Sequence, residues 1–236
     1  MSINTDYLAA NWALVRGQVD DACRQAGREP ASVNILPVSK TFGPELVRAA
    51  VALGLHRFGE NKTQEVREKS PVLVDCGIDW VMIGHLQTNK AKDVARMASE
   101  VQSLDRLELA EALHRRLQLE GRVIDVLVQV KTSDEPSKFG LPPDQLPGFL
   151  DTLHGFDTLT VRGLMTVAVQ SDHADTVRGC FRALRELRDQ AASRGHDLSR
   201  LSMGMSGDFA LAIAEGATEV RIGSAIFGAR SYPAVV

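Results

Sequence analysis

The sequence predicts an α/β fold, a single (β/α)₈ TIM-type barrel with an extra N-terminal helix, and three observations carry that prediction. Short β-branched runs alternate with longer segments of helical period along the whole chain. Eight such runs can be counted, the number a closed parallel barrel requires. No Gly/Ser-rich or Pro-rich linker and no shift in composition divides the 236 residues, so one barrel is expected over residues 1–236. Within it, residues 1–30 form a leading helix packed outside and residues 231–236 a tail. A doubly wound open sheet is the alternative architecture.

The leading helix spans Tyr7 to Ala26, where Leu8, Trp12, Val15, Val19 and Cys23 make one apolar stripe. Strand one is Val33 to Ser39, and the helix after it has Pro44 in its first turn and Gly54 just past its end. Strand two lies around His56 to Phe58. A helix from Lys62 stops at Ser70-Pro71. Strand three, Trp80 to Gly84, leads into a helix from Thr88. Strand four, Glu100 to Leu104, ends at Asp105, which with Glu108 matches a capping box for a helix closed by Gly121. Strand five, Val123 to Val130, is nearly unbroken Val, Ile and Leu, as burial on both faces demands. The loop Thr132 to Pro143 is the longest and most polar. Strand six is Leu159 to Leu164, and Val177, Cys180, Phe181, Leu184 and Leu187 mark one face of the helix that follows. Strand seven is Leu201 to Met203 and strand eight Glu219 to Ile222.

Composition narrows the function classes. With 27 basic and 30 acidic residues the net charge is −3, which argues against a nucleic-acid-binding protein. Cys23, Cys76 and Cys180 lack metal-ligand spacing and read as reduced thiols. The N-terminus has no basic-then-apolar run, and no stretch reaches the roughly 20 apolar residues of a membrane span. A cytoplasmic location is the expectation.

In a barrel of this kind the active site lies at the C-terminal ends of the strands. The residues to inspect are therefore Ser39, Lys40 and Thr41; Gly59, Glu60 and Asn61; His85 and Gln87; Lys131; Met165 and Thr166; and Ser206, Arg221, Gly223 and Ser224. Lys40 and Lys131 each end an apolar strand. Each is either a solvated strand terminus, the commoner case, or a partly desolvated amine of the kind a Schiff-base nucleophile requires, and position alone does not choose between them. Ser206 reads as the N-cap of a helix over Phe209 to Glu215, and Gly223-Ser224 opens a turn after strand eight. Loops at these two positions suit a phosphate, although ordinary capping accounts for the same residues. Arg221 sits between apolar Val220 and Ile222, so if they face the helices it faces the barrel interior, toward a ligand or a strand carboxylate. His85 is a proton shuttle or a scaffold residue. No metal-ligand cluster or Walker-type glycine loop is evident.

Six motifs in order, from Val38-Ser39-Lys40-Thr41, Phe58-Gly59-Glu60-Asn61 and Ile83-Gly84-His85-Leu86-Gln87-Thr88-Asn89-Lys90 through Gly163-Leu164-Met165-Thr166, Leu201-Ser202-Met203-Gly204-Met205-Ser206 and Val220-Arg221-Ile222-Gly223, closed by Ile226-Phe227-Gly228, resemble the YggS/PROSC family of pyridoxal 5′-phosphate homeostasis proteins. The match runs from about Val33 to Arg230. The resemblance implies a barrel similar to the N-terminal domain of alanine racemase and a Schiff base between Lys40 and the pyridoxal 5′-phosphate aldehyde. It also implies that Ser206, Gly223 and Ser224 receive the phosphate, that Arg221 faces the pyridine nitrogen, that Asn61 lies near the ring, and that Ile83 and Met165 flank it. The sequence departs from the family at Lys131, where asparagine is common, and at Ser224, where threonine is common.

An arginine at the pyridine nitrogen makes the ring a weak electron sink. The racemases also use a tyrosine from an additional domain of the neighbouring subunit, whereas this chain ends at Val236 and carries only Tyr7 and Tyr232. The expectation is a protein that takes part in vitamin B6 balance, holding or delivering the cofactor to apo PLP enzymes as a monomer, without efficient catalysis. An amino-acid racemase or related PLP enzyme is the alternative. A phosphosugar barrel enzyme without PLP is a third reading.

Overall fold

Period-two alternation organises the barrel of this computed structural model, which describes residues 6–133, 135 and 138–228. In chain order the elements are α1 (Asp6–Gln25), β1 (Asn34–Pro37), α2 (Pro44–Ala52), β2 (Arg57–Glu60), α3 (Thr63–Lys69), β3 (Asp79–Met82), α4 (Ala91–Met97), β4 (Ala98–Leu104) and α5 (Leu107–Glu120). There follow β5 (Ile124–Gln129), α6 (Leu146–Leu153), β6 (Leu159–Met165), α7 (Ala174–Ser193), β7 (Arg200–Ser202), α8 (Phe209–Ala214), β8 (Glu219–Ile222) and α9 (Ser224–Phe227). All pairings are parallel, in the order β1-β8-β7-β6-β5-β4-β3-β2. A parallel bridge between Val38 and Gly59, with the Ser39 N–H donating to Gly59 O at 3.1 Å, joins β1 to β2 and closes the barrel. The open-sheet alternative is thereby excluded.

Trp80 and Met82, Val126 and Val128, Leu201, and Val220 and Ile222 belong to the apolar layer shared with the helices. Their strand neighbours Val81, Leu127, Ser202 and Arg221 are buried outside that layer, in the barrel interior. Arg221 therefore points inward, as the flanking apolar residues predict. The N-terminal half of the interior is charged rather than apolar. Arg57 and Arg200 alternate with Glu100 and Glu219 in a closed ring: Arg57 to Glu100 at 2.6 Å, Glu100 to Arg200 at 2.9 Å, Arg200 to Glu219 at 3.1 Å, and Glu219 back to Arg57. Burial opposes ionisation of Glu219, yet Arg57 and Arg200 together hold its carboxyl below the usual range.

Two predicted caps are corrected. Asp105 and Glu108 form no capping box, because α5 begins one residue later with Arg106 at the N-cap and no side-chain cap there. Asp105 instead pairs with Arg106 and lies 3.5 Å from His85 Nδ1. Ser206 does not cap α8. Asp208 holds that position, and its Oδ1 accepts from the Met205 N–H, leaving Ser206 exposed in the loop. Gly121, in the left-handed region at φ 61°, does close α5.

The leading helix α1 packs outside the barrel against α8 and α9. Asn11 donates to Ile226 O at 3.1 Å and Tyr7 to Phe227 O at 3.4 Å, so the first helix holds the short helix that carries Ser224. Cys23 and Cys180 are buried, and all three cysteines are free thiols. No helix among the described residues is long and apolar enough to cross a membrane. The tail at 231–236 lies outside the described residues, as do Asp134, Pro136 and Ser137 of the long loop after β5.

Candidate functional site

At the C-terminal ends of the strands, Val38, Lys40, Asn61, Ile83, Val167, Met205, Ser206, Arg221, Gly223 and Ser224 line one cavity of about 270 Å³. Seven of the eight predicted site residues meet there. The exception is Met165, which is fully buried in the barrel interior, while Val167 takes the wall position two residues on. Lys131 is not in the lining. Its backbone N–H donates to Leu141 O at 3.0 Å, and of the two strand-end lysines Lys40 alone lines the cavity.

The backbone around Lys40 is tightly held. Ser39 donates from Oγ to Glu60 Oε1 at 2.6 Å, and its carbonyl accepts from Lys69 Nζ at 2.9 Å. Lys69 also reaches Glu60 Oε1 at 2.6 Å and Glu65 Oε2 at 3.2 Å. Burial pushes the Glu60 carboxyl up to about 7, against the opposing pull of Lys69 and Ser39. On the other side of Lys40, Thr41 adopts φ 70°, a left-handed conformation unfavourable for a β-branched residue, and the Glu65 carboxylate fixes its N–H at 2.6 Å. Glycine at position 84 is required for Asn61 to reach the cavity: a Cβ there would stand 2.3 Å from Asn61 O.

Two loops close the opposite wall. Gly204, at φ 94°, leaves β7 in a conformation only glycine takes easily, and a Cβ there would meet the Ala212 Cβ at 2.6 Å. This brings Met205 and Ser206 over the cavity. In α9 the intrahelical bonds begin with the Ile226 N–H to Gly223 O at 2.9 Å, so the N–H groups of Ser224 and Ala225 have no acceptor within the helix. Two hydroxyls and these donors make the wall suited to a multivalent oxyanion.

Arg221 forms the floor. Its Nη1 donates to Ser202 Oγ and its Nη2 to Thr166 O, both at 2.8 Å. Burial lowers its pKa to about 10, with Glu219 and Asp208 acting in the other direction, so the guanidinium is charged at neutral pH. Ser202 in turn donates to Gln102 Oε1 at 2.7 Å, and Gln102 Nε2 donates to Glu100 and Glu219 of the charged ring. An unbroken line of hydrogen bonds thus runs from the ring to the cavity.

His85 lies beside the site rather than in it, stacked on Phe139 with centroids 3.8 Å apart and lining an adjacent groove with Asn61 and Gln87. Sequence reasoning missed Val38, Val167 and Met205 as wall residues and Lys69, Gln102 and Ser202 as their support. The available signal was periodic: Val167 lies two places beyond Met165, just past the end of β6, and Gln102 shares the inward period of Glu100 on β4.

The family model for the alanine racemase N-terminal domain matches residues 3–231. The chain is 40% identical over 227 residues to the pyridoxal phosphate homeostasis protein of Pseudomonas aeruginosa, covering 96% of this chain and 97% of that one. It is likewise 40% identical over 216 residues to the protein of the same name from Aquifex aeolicus, covering 91% and 95%. The solved structure of PipY from Synechococcus elongatus with PLP bound superposes with a TM-score of 0.83 at 33% identity, covering 94% of this chain and all of that one. An alanine racemase from Clostridium difficile, at 15% identity and a TM-score of 0.74, shares the fold over 98% of this chain and 58% of its own. On the barrel, the cavity and these likenesses together, the chain belongs to the alanine racemase N-terminal domain family and, within it, to the pyridoxal phosphate homeostasis proteins.

Proposed function

We propose that the cavity binds pyridoxal 5′-phosphate, held as a Schiff base on Lys40, and that the chain serves vitamin B6 balance in the cytoplasm by keeping and delivering this cofactor without efficient turnover. The observation that carries the reading is the convergence of Lys40, Arg221, Ser206, Gly223 and Ser224 on one cavity. The donor set fits the group: an amine on one wall, a charged guanidinium on the floor, and two hydroxyls beside helix N–H groups on the other wall. Asn61 and Ile83 would flank the ring.

When bound, the cofactor supplies an electrophilic aldehyde and an electron-withdrawing ring. Lys40 contributes the amine, and the anchored Ser39 and Thr41 backbone fixes where that amine stands. Arg221, protonated at neutral pH, donates to whatever atom faces it and gives up no proton. Among the described residues lining the cavity, only Lys40 and Arg221 titrate, which leaves no second base for racemisation. Tyr7 is engaged with Phe227 O on the outer face. Apo PLP enzymes are the proposed recipients, and a monomer the proposed state.

Purified protein should carry a visible absorbance band, and borohydride should fix the cofactor to the peptide containing Lys40. An adduct on Lys131, or no retained cofactor, overturns the reading. Transfer to an apo enzyme faster than release into buffer is the expected sign of delivery, and solvent deuterium incorporation at amino-acid Cα with efficient turnover would replace it with an enzymatic role.

A further inference from the structure

The face of the barrel opposite the cavity carries a cluster that the cofactor reading does not use. Asp151 on α6 and His154 at its C-terminal cap stand three positions apart, and so share a helix face. His196 comes from the connection between α7 and β7, anchored by its N–H to Ala191 O at 3.2 Å. Its imidazole is buried at 7% exposure and reaches Asp151 Oδ1 at 3.3 Å. The rings of His154 and His196 stack 5.1 Å apart and within 10° of parallel. One ligand atom from each of the three residues lies within 4.8 Å of the others.

An ion pair alone accounts poorly for this arrangement. Asp151 can balance one imidazolium, but two protonated rings at this separation would repel. Two neutral imidazoles and a carboxylate, in contrast, offer three lone pairs to one cation. Asp157 and Asp197 line the same groove as both histidines, while Arg194 and Asp144 line a second groove that shares His196.

We propose that Asp151, His154 and His196 bind a divalent transition metal of the zinc type. Imidazole donors select against Mg²⁺ and Ca²⁺, which prefer all-oxygen sites. Tetrahedral zinc places ligand atoms roughly 3.3 Å apart, the separation already held between His196 and Asp151, and the exposed His154 side chain, with its ligand atom within 4.8 Å of theirs, is free to adjust to it. The fourth position is open to water or to an acidic side chain. Two ligands from α6 and one from the α7–β7 connection make the ion a staple across the N-terminal face, where a barrel's residues serve stability rather than chemistry. Imidazole binds metal as the neutral base, so affinity falls as the pH is lowered.

The test is a Co²⁺ titration of untagged protein after dialysis against a chelator, followed by its visible d–d bands. One saturable site displaced by Zn²⁺ is expected, weakened at least roughly tenfold in His154→Ala and in Asp151→Asn. Both side chains are exposed, so both variants should fold, which circular dichroism checks. Zn²⁺ at a hundredfold excess over its Kd should raise Tm by roughly 5–10 °C. Lys40→Ala should bind Co²⁺ as the wild type does, which separates this site from metal chelated by bound cofactor. No saturable binding, unchanged affinity in His154→Ala, or loss of binding in Lys40→Ala overturns the proposal.

Discussion

Arg221 donates to Ser202 Oγ at 2.8 Å, and the direction of that bond is set at the far end of the barrel. Glu100 and Glu219 can only accept, so Gln102 must turn its Nε2 toward them and its Oε1 toward Ser202. Ser202 must then donate to Gln102, which leaves its oxygen to accept from Arg221. Every proton in the line has one place to go, and the guanidinium is presented to the cavity in one orientation.

Ser202→Ala removes one of two anchors of a buried cation while leaving Thr166 O in place. A hydrogen bond to a charged group is worth about 1.5–3 kcal/mol, so cofactor affinity should fall by roughly 10- to 100-fold. Absorbance titration with PLP measures it, and an unchanged Kd would show that Thr166 alone orients Arg221.

Glu219→Gln takes one charge out of the four-membered ring and leaves Arg57 and Arg200 sharing Glu100. Breaking a buried pair in this way costs about 3–5 kcal/mol, read from the urea midpoint. A loss below 1 kcal/mol would mean that the ring has no net structural weight.

Glu60 gives the protein a pH-dependent term. Its carboxyl rises from 4.5 to about 7 on folding, so the folded chain holds a proton that the unfolded chain releases. The sign follows: the contribution costs nothing below pH 4.5, grows as pH rises to 7 and is constant above it. Relative to Glu60→Gln, wild-type stability should therefore fall by roughly 3 kcal/mol between pH 4.5 and 7. Parallel urea curves for the two proteins across that window would refute this assignment.

Thr41→Gly relieves a left-handed conformation beside Lys40. Strain of this kind costs on the order of 1–2 kcal/mol, partly offset by the greater chain entropy of glycine, so a net gain of about 0.5–1 kcal/mol is expected. The same change frees the backbone next to the amine, so borohydride labelling of Lys40 at limiting PLP should decline. Lower stability would place the strain elsewhere.

The strands and most of the cavity wall were legible because their signals are local. Strand segments lead directly into Lys40 and Asn61, Arg221 stands between apolar strand residues, and Gly204 and Gly223 mark turns. The ring was not legible, because Arg57 and Glu219 meet across 162 residues and nothing in either neighbourhood names the other. The capping errors at Asp105 and Ser206 have a different origin. In each case the sequence offers neighbouring polar residues: a tertiary contact, Arg106 to Leu86 O at 2.7 Å, accompanies the first outcome, and a competing local one, Asp208 back onto the Met205 N–H, the second.

Pairing of β1 with β8, Asn34 beside Glu219, joins residues from opposite ends of the chain. Lys40 and Asn61 emerge in synthesis well before Ser206, Arg221 and Ser224. A nascent chain on the ribosome thus exposes Lys40 long before it has the Arg221 floor or the wall of Ser206 and Ser224 to accompany it. On the function proposed above, retention of a small aldehyde would be acquired only in the step that seats β8 between β1 and β7.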